Sequence, residues 1–250
     1  MKIALLGYGK MGKAIEKIAL QRGHEIVLRV SDTQVYEISK ADVAIDFSVP
    51  EAAFDNITNC FRNKVPVISG TTGWLERYNE AVELCNRENG SFVYASNFSL
   101  GVHLFSELNK QLANLIHPLK NYDVTIEETH HIKKLDAPSG TAISLAEGII
   151  ENSSYMDWEL TSNSEVSKHT IPIKAHRIPN VPGTHIVNYK SKIDTIEIKH
   201  TAHNRKGFAL GAVIAAEWIL GKRGVHSMKD VLNLGHIPVS YTHLTLPTIA

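Results

Sequence analysis

The chain has 250 residues, with 26 Lys+Arg against 26 Asp+Glu, 13 histidines and 43% hydrophobic residues, a globular composition of zero formal net charge. No basic surplus exists to neutralise phosphates, which argues against a nucleic-acid partner, and two cysteines, Cys60 and Cys85, are too few for a disulfide scaffold and fit no zinc spacing. The apolar stretch 209–220 contains Glu217 and falls short of the ~20 residues a bilayer needs, and the short apolar run before Gly7 is no signal peptide, so a cytoplasmic protein with no membrane partner is expected.

The first half alternates short apolar runs with amphipathic stretches. Residues 3–6 read as a buried strand, followed by a glycine loop from Gly7 to Gly12. From Met11 to about Arg22 apolar residues recur at helical spacing (Met11, Ala14, Ile15, Ile18, Ala19), and Gly23 supplies the stop. Further strands are expected at 25–30, 42–47, 65–69 and 91–95. Pro50 opens a helix to about Asn63, a residue suited to the first helical position, and another helix spans 75–87. Strands and helices alternating in this way predict a parallel sheet wound by right-handed crossovers.

After Leu100 the rhythm changes. A helix over 102–116 is halted by Pro118, residues 123–127 alternate like a half-exposed strand, and 142–151 are helical again. The polar, patternless stretch 152–167 reads as a loop. Strand-like runs at 184–189 and 194–200 follow closely on one another, which predicts an antiparallel or mixed sheet in a second domain of α+β type. Residues 207–220 return to helical spacing and are expected to pack back on the first domain, ahead of a helix at 228–234. The stretch 239–250 continues no period, and 240–248 reads like translated sequencing-adapter sequence. Residues 236–250 are therefore expected to be foreign to the fold, a native peripheral extension being the alternative.

Gly7-Tyr8-Gly9-Lys10-Met11-Gly12 fits G-x-G-x-x-G between a strand and a helix. The first glycine permits the tight turn, the second lets the backbone approach a pyrophosphate, and the third allows close helix–strand packing. A tight turn without a ligand is the alternative. Asp32, beside Ser31, is the acid expected to hold the adenosine ribose, although an ordinary turn residue would look the same. An acid there favours NADH by repelling a 2′-phosphate, and inward-pointing Lys10 and Arg29 would offset that repulsion, so NADH or NADPH are both left open. Phe47 and Ser48 follow the third strand and Gly70-Thr71-Thr72-Gly73 the fourth, at the edge where such sheets bind ligands; the latter run also suits a helix cap.

His130, His131, Lys133 and Lys134 concentrate positive charge in an otherwise neutral chain. Directly after them Pro138-Ser139-Gly140-Thr141 leads into a helix whose first amides are unpaired, a ready anion site. The combination suits a small substrate with more than one carboxylate, a histidine donating a proton and a lysine stabilising developing negative charge. A solvated basic loop before a capped helix is the bland alternative. A metal site drawn from His130, His131, His185, His200 and His203 with Glu127 or Glu128 has no zinc-motif spacing, so no metal is expected. No G-x-S-x-G elbow marks a serine hydrolase.

The glycine loop, Gly70-Thr71-Thr72-Gly73, Ser96-Asn97-Phe98-Ser99-Leu100-Gly101-Val102 and above all His130-His131-Ile132-Lys133-Lys134-Leu135-Asp136-Ala137-Pro138-Ser139-Gly140-Thr141 make the chain resemble the dihydrodipicolinate reductase family. Pro182-Gly183-Thr184-His185 and Gly207-Phe208-Ala209-Leu210-Gly211-Ala212 extend the likeness to about Leu234. The resemblance implies an α/β fold. An N-terminal Rossmann-type domain with a parallel sheet (residues 1–100 with 207–235) would carry an inserted α+β domain with a mixed or antiparallel sheet (101–206), which binds substrate and builds a homotetramer. It implies NADH- or NADPH-dependent reduction of a small cyclic dicarboxylate, 4-hydroxy-tetrahydrodipicolinate, to tetrahydrodipicolinate with loss of water, in lysine and diaminopimelate biosynthesis.

By the same likeness His130 is the proton donor and Lys134 the second catalytic residue, while His131, Lys134, Gly140 and Thr141 bind substrate. The cofactor falls to Gly7, Tyr8, Gly9, Lys10, Met11, Gly12, Gly70, Thr71, Thr72, Ala95, Ser96, Asn97 and Phe98, joined by Asp32, Phe47 and Ser48 from the strand-end reading. The short form of the glycine loop and Ser31, which displaces the acid, depart from the family pattern.

Overall fold

The computed structural model describes residues 1–31, 36–161, 166–204 and 206–234, so Asp32 and the stretch 236–250 lie outside the described residues. In chain order the first half runs β1 (Lys2–Leu6), α1 (Lys10–Gln21), β2 (Glu25–Val30), β3 (Val43–Asp46), α2 (Pro50–Arg62), β4 (Val67–Ser69), α3 (Tyr78–Arg87) and β5 (Ser91–Tyr94). The second half follows as α4 (Leu100–Ile116), β6 (Asp123–His130), α5 (Gly140–Ile150), β7 (Asp157–Leu160), β8 (Thr170–Arg177), β9 (Gly183–Lys190) and β10 (Thr195–Ala202). The chain then returns through α6 (Lys206–Ile219), β11 (Gly224–His226) and α7 (Met228–Val231).

The first sheet has the order β2-β1-β3-β4-β5-β11, and every neighbouring pair is parallel. Strands β1, β3 and β4 are apolar almost throughout because helices cover both faces. Alternation assigns Ile3 and Leu5 to one face, packed with Ile15 and Ala19 of α1, Val213 of α6 and Met228 of α7. Ala4 and Leu6 point the other way, against Phe54, Ile57 and Phe61 of α2 and Leu84 of α3. Burying each large side chain of this kind is worth ~1.5–3 kcal/mol, which makes the two-faced sheet the rigid body of the molecule. The strand order reverses at β1, since β2 lies on one side of it and β3 on the other. The crevice beyond the carboxyl ends of β1 and β3 is where such sheets take their ligands.

The second sheet is mixed, in the order β10-β9-β6-β8-β7. β9 pairs antiparallel with both β10 and β6, whereas β6–β8 and β7–β8 are parallel. Helices α4 and α5 cover one face through Phe105, Ala113, Leu145 and Ile149, packed on Ile126, Ile173 and Val187. The fold is thus a two-sheet α/β arrangement, as expected.

Three strands escaped the sequence reading. β7 lies inside the stretch expected to be a loop; its four residues bury little, so no hydrophobic period betrays it. β8 carries Pro172, which cannot donate to a ladder, among buried isoleucines. β11 has three residues and no buried position. The last helix stops earlier than expected, and Asn233 follows it with φ 53°. Cys60 and Cys85 are buried and free, and among the described residues no helix is long and apolar enough to cross a membrane.

Candidate active site

The glycine loop leaves β1 at the reversal point. Gly7 has φ +95°, and a Cβ there would stand 2.1 Å from the Phe47 carbonyl oxygen, so the loop and the turn after β3 touch backbone to backbone. A Cβ on Gly12 would lie 2.3 Å from the Gly7 carbonyl oxygen, which is why α1 can begin so close to the strand. Gly9 differs: a Cβ would meet nothing within 4 Å. It caps α1 without a side-chain hydrogen bond, and the first turn holds no acid, so the amides at the helix start are unspent. Open space before unspent amides fits a pyrophosphate.

Beside the loop, Arg29 of β2 donates from Nε to Glu16 Oε1 at 3.0 Å and also pairs with Glu16 through its terminal nitrogen. Tyr8 hydrogen-bonds the same carboxylate, and the Arg29 guanidinium lies 5.8 Å from the Tyr8 ring centroid. Hydrogen bonds from Arg29 and Tyr8 hold the Glu16 carboxyl below its ordinary value.

The turns after β3 and β4 meet each other. Ser48 N donates to Thr71 Oγ1 at 2.9 Å, and the Phe47 ring stands 5.6 Å from that of Phe98, drawing the segment after β5 to the same edge. That segment faces the second domain. A cavity of about 140 Å³ has Ala95, Ser96 and Asn97 on one wall and Gly140 and Thr141, at the start of α5, on the other. Five residues picked from sequence therefore share one hollow. His103 of α4 lines it too; its Nε2–H donates to the Asn97 carbonyl at 2.7 Å, and burial pushes its pKa down.

Ser139 caps α5: its Oγ accepts from Ala142 N at 3.2 Å. Helix geometry leaves the amides of Gly140 and Thr141 without intrahelical partners at the cavity wall. Behind the cap sits Glu128, fully buried. Its two oxygens accept from Ser139 N at 3.1 Å each, and Arg177 donates to Oε1 at 3.1 Å. His130 Nδ1 lies 3.3 Å from Glu128 Oε2, and His185 Nε2 is 3.7 Å from the same oxygen and 3.1 Å from Ser139 Oγ. Burial alone would raise the Glu128 carboxyl, but His130, His185 and Ser139 outweigh it and leave it well below the usual carboxylate range. Burial likewise pushes His185 down. The far edge of the His130 ring faces Gly183, where a Cβ would lie 3.1 Å from Nε2.

Glu128, His130 and His185 present ligand-capable atoms within 4.8 Å of one another. Arg177 and Ser139 donate to the carboxylate, which also stands against the His130 imidazole. Lys134, in the loop after β6, pairs with Asp136 at 2.7 Å, while Arg177 donates to the Asp136 carbonyl at 2.5 Å and fastens the loop. His131 lines a different hollow of about 660 Å³, with Pro182, Asn204 and Phe208.

Sequence reasoning missed His103 and Ser139 at the cavity and weighed Glu128 and His185 only as metal ligands. A usable signal existed for Glu128. Along β6 the buried positions are Val124, Ile126, Glu128 and His130, so an acid stands in the core phase of an alternating strand.

Two family profiles match the chain: "Dihydrodipicolinate reductase, N-terminus" over residues 1–98 and "Dihydrodipicolinate reductase, C-terminus" over 101–232. A 4-hydroxy-tetrahydrodipicolinate reductase of Christiangramia forsetii is 55% identical over 237 residues, 93% of this chain and 98% of that one. The enzyme of the same name from Thermosipho africanus is 33% identical over 234 residues, again 93% and 98%. Among solved structures, a dipicolinate-bound dihydrodipicolinate reductase from Paenisporosarcina sp. TG-14 superposes with a TM-score of 0.75 at 24% identity, covering 91% of this chain and 97% of that one.

Proposed function

The chain belongs to the dihydrodipicolinate reductase family, and on that premise we propose how its residues divide the work. The family's reaction is reduction of 4-hydroxy-tetrahydrodipicolinate to tetrahydrodipicolinate, in which one hydride and one proton are taken up and the 4-hydroxyl leaves as water, a step of lysine and diaminopimelate biosynthesis. The reduced nicotinamide cofactor supplies a hydride when bound. Residues 7–12 and the start of α1 hold its pyrophosphate. Phe47, Ser48, Gly70, Thr71, Thr72 and the segment 95–98 hold the nicotinamide half. A dicarboxylate lies across the cavity, one carboxylate on the amides of Gly140 and Thr141, with Lys134 gripping the remainder; His131, which lines the other hollow, joins it only if the loop after β6 swings towards the cavity. His130 gives the proton from Nε2, and Lys134 balances the charge that develops. The observation that carries this reading is the shared hollow, with Asn97 on one wall and Thr141 on the other. Its test is the fall in reduced-nicotinamide absorbance when synthase-generated substrate is added; no substrate-dependent fall with either cofactor would overturn it.

Glu128 holds His130 by contact at Nδ1 and anchors the α5 cap at once. Glu128→Gln keeps the shape and removes the charge, so kcat should fall about ten- to a hundredfold, as for a positioning loss. Stability supplies a second readout. The folded carboxyl sits below its unfolded value, so its contribution is present above the unfolded pKa and fades as pH drops towards the folded one. Melting temperature should therefore vary less between about pH 5 and pH 3 in Glu128→Gln than in the unmodified protein; equal slopes would remove Glu128 from this role.

NADH is the better cofactor in this reading, since Glu16 already neutralises Arg29 and so takes away a cation that could meet a 2′-phosphate. Glu16→Gln frees the guanidinium and should raise the NADPH/NADH ratio of kcat/KM about three- to tenfold, the worth of a partly exposed ion pair. A ratio that stays put would detach Arg29 from cofactor choice. The protein works in the cytoplasm as a homotetramer built through the second sheet, where Ile196 of the edge strand β10 and Ile193 of the turn before it are exposed.

A further inference from the structure

Asp46 ends β3 at the edge that carries the nucleotide turns, and its side chain is wholly buried. None of the steps above uses it. Yet Oδ1 accepts from Ser48 Oγ at 2.6 Å and from Asn56 Nδ2 at 3.1 Å, while Oδ2 accepts from Ser69 Oγ at 2.9 Å and Thr71 Oγ1 at 2.8 Å. The network closes on itself. Thr71 Oγ1 accepts the Ser48 amide at 2.9 Å, Ser48 Oγ accepts from Asn56 Nδ2 at 3.2 Å, and Tyr36 donates to Asn56 Oδ1 at 2.7 Å.

A buried carboxylate costs several kcal/mol unless donors surround it, and an aliphatic residue would fill the same position of a buried strand without that cost. The ladder between β3 and β4 already ends at the pair Asp46–Ser69, so strand pairing does not need the side chain. Two of the four donors, Ser48 and Thr71, stand beyond the strand ends, one residue past the last backbone bonds, Phe47 N to Leu6 O at 2.8 Å and Gly70 N to Asp46 O at 2.9 Å. Ser48 and Thr71 stand on different turns, and one carboxylate group holds both.

We propose that Asp46 is the positioning residue of the cofactor cradle: it locks the turn at residues 47–48 to the turn at 70–72, so that their backbone groups form one preformed edge for the nicotinamide half of the dinucleotide. This deepens the cofactor reading and rests on it. A preformed edge spares the ligand the cost of ordering two loops, and loss of that order is felt in affinity. The adenosine and pyrophosphate end binds at the glycine loop, which Asp46 does not touch through any of these bonds.

The experiment measures dissociation constants for NADH and for ADP, by quenching of protein fluorescence and by calorimetry, in the unmodified protein, Asp46→Asn and Ser69→Ala. Asn keeps the shape but turns an amide towards groups that donate, and Ser69→Ala removes a single donor. NADH affinity should fall about ten- to a hundredfold in Asp46→Asn and about three- to tenfold in Ser69→Ala, with ADP affinity within twofold of the unmodified value in both. KM for the dicarboxylate at saturating NADH should also stay within twofold. Equal losses for NADH and ADP, or a lowered melting temperature with unchanged NADH affinity, would make Asp46 a stabilising residue only and overturn the proposal. If Asp46→Asn fails to fold, Ser69→Ala decides alone by the same comparison. If the unmodified protein binds neither nucleotide, the cofactor reading itself falls, a result distinguishable from NADH binding that survives both substitutions.

Discussion

His130→Gln is expected to lower kcat by about 10²–10⁴-fold, the usual worth of a positioned general acid, while substrate KM moves little. Glutamine fills much of the imidazole volume and still reaches Glu128 with an amide, so the cluster survives the change. What it lacks is a transferable proton. The geometry makes the effect specific: Glu128 holds the Nδ1 side of the ring at 3.3 Å, and Gly183 brings no side chain to the Nε2 edge, which leaves that nitrogen for the substrate. Single-turnover measurement with saturating cofactor and substrate separates chemistry from product release. A kcat within threefold of the unmodified enzyme would remove His130 from proton transfer and shift attention to His185, which shares Glu128.

Lys134→Ala is expected to act on both kinetic parameters. A charge-assisted hydrogen bond to a carboxylate is worth ~1.5–3 kcal/mol, so KM for the dicarboxylate should rise about ten- to a hundredfold. Because the same ammonium faces charge that grows during reduction, kcat should fall by a comparable factor. In the free protein Asp136 occupies this lysine at 2.7 Å, so the substrate must displace or share it. Asp136→Asn therefore serves as the partner experiment: it removes the competitor and should leave KM unchanged or lower it. Cofactor affinity in Lys134→Ala should stay within twofold, and a large loss there would put the lysine at the dinucleotide instead.

The parts of the molecule that announced themselves in the sequence are those with local rules. The glycine loop carries its own spacing, and the run from His130 to Thr141 concentrates charge before a helix start. The five parallel strands of the first half are apolar runs broken by amphipathic helices, a pattern covered sheets impose. Asp46 was invisible for a physical reason. At the end of a strand an acid looks like a cap, and only the packing of α2 and β4 against it supplies Asn56, Ser69 and Thr71. Glu128 was half legible, since its buried phase in β6 can be counted, but its partners Arg177 and His185 come from β8 and β9. His103 offers no signal at all until α4 is laid beside Asn97. Pairs set by packing, whether near in the chain like His103 and Asn97 or far like Glu128 and Arg177, have no period.

A dicarboxylate held between the first turn of α5 and the edge of the first sheet is the centre of the proposed mechanism. A crystal structure of the protein with NADH and dipicolinate, a planar stand-in for the substrate, tests it most directly. One carboxylate should lie within hydrogen-bond distance of the Gly140 and Thr141 amides, with Lys134 Nζ on the dicarboxylate and the ring between His130 and Asn97. Dipicolinate lodged elsewhere, with His130 and Lys134 touching neither ligand, would contradict it.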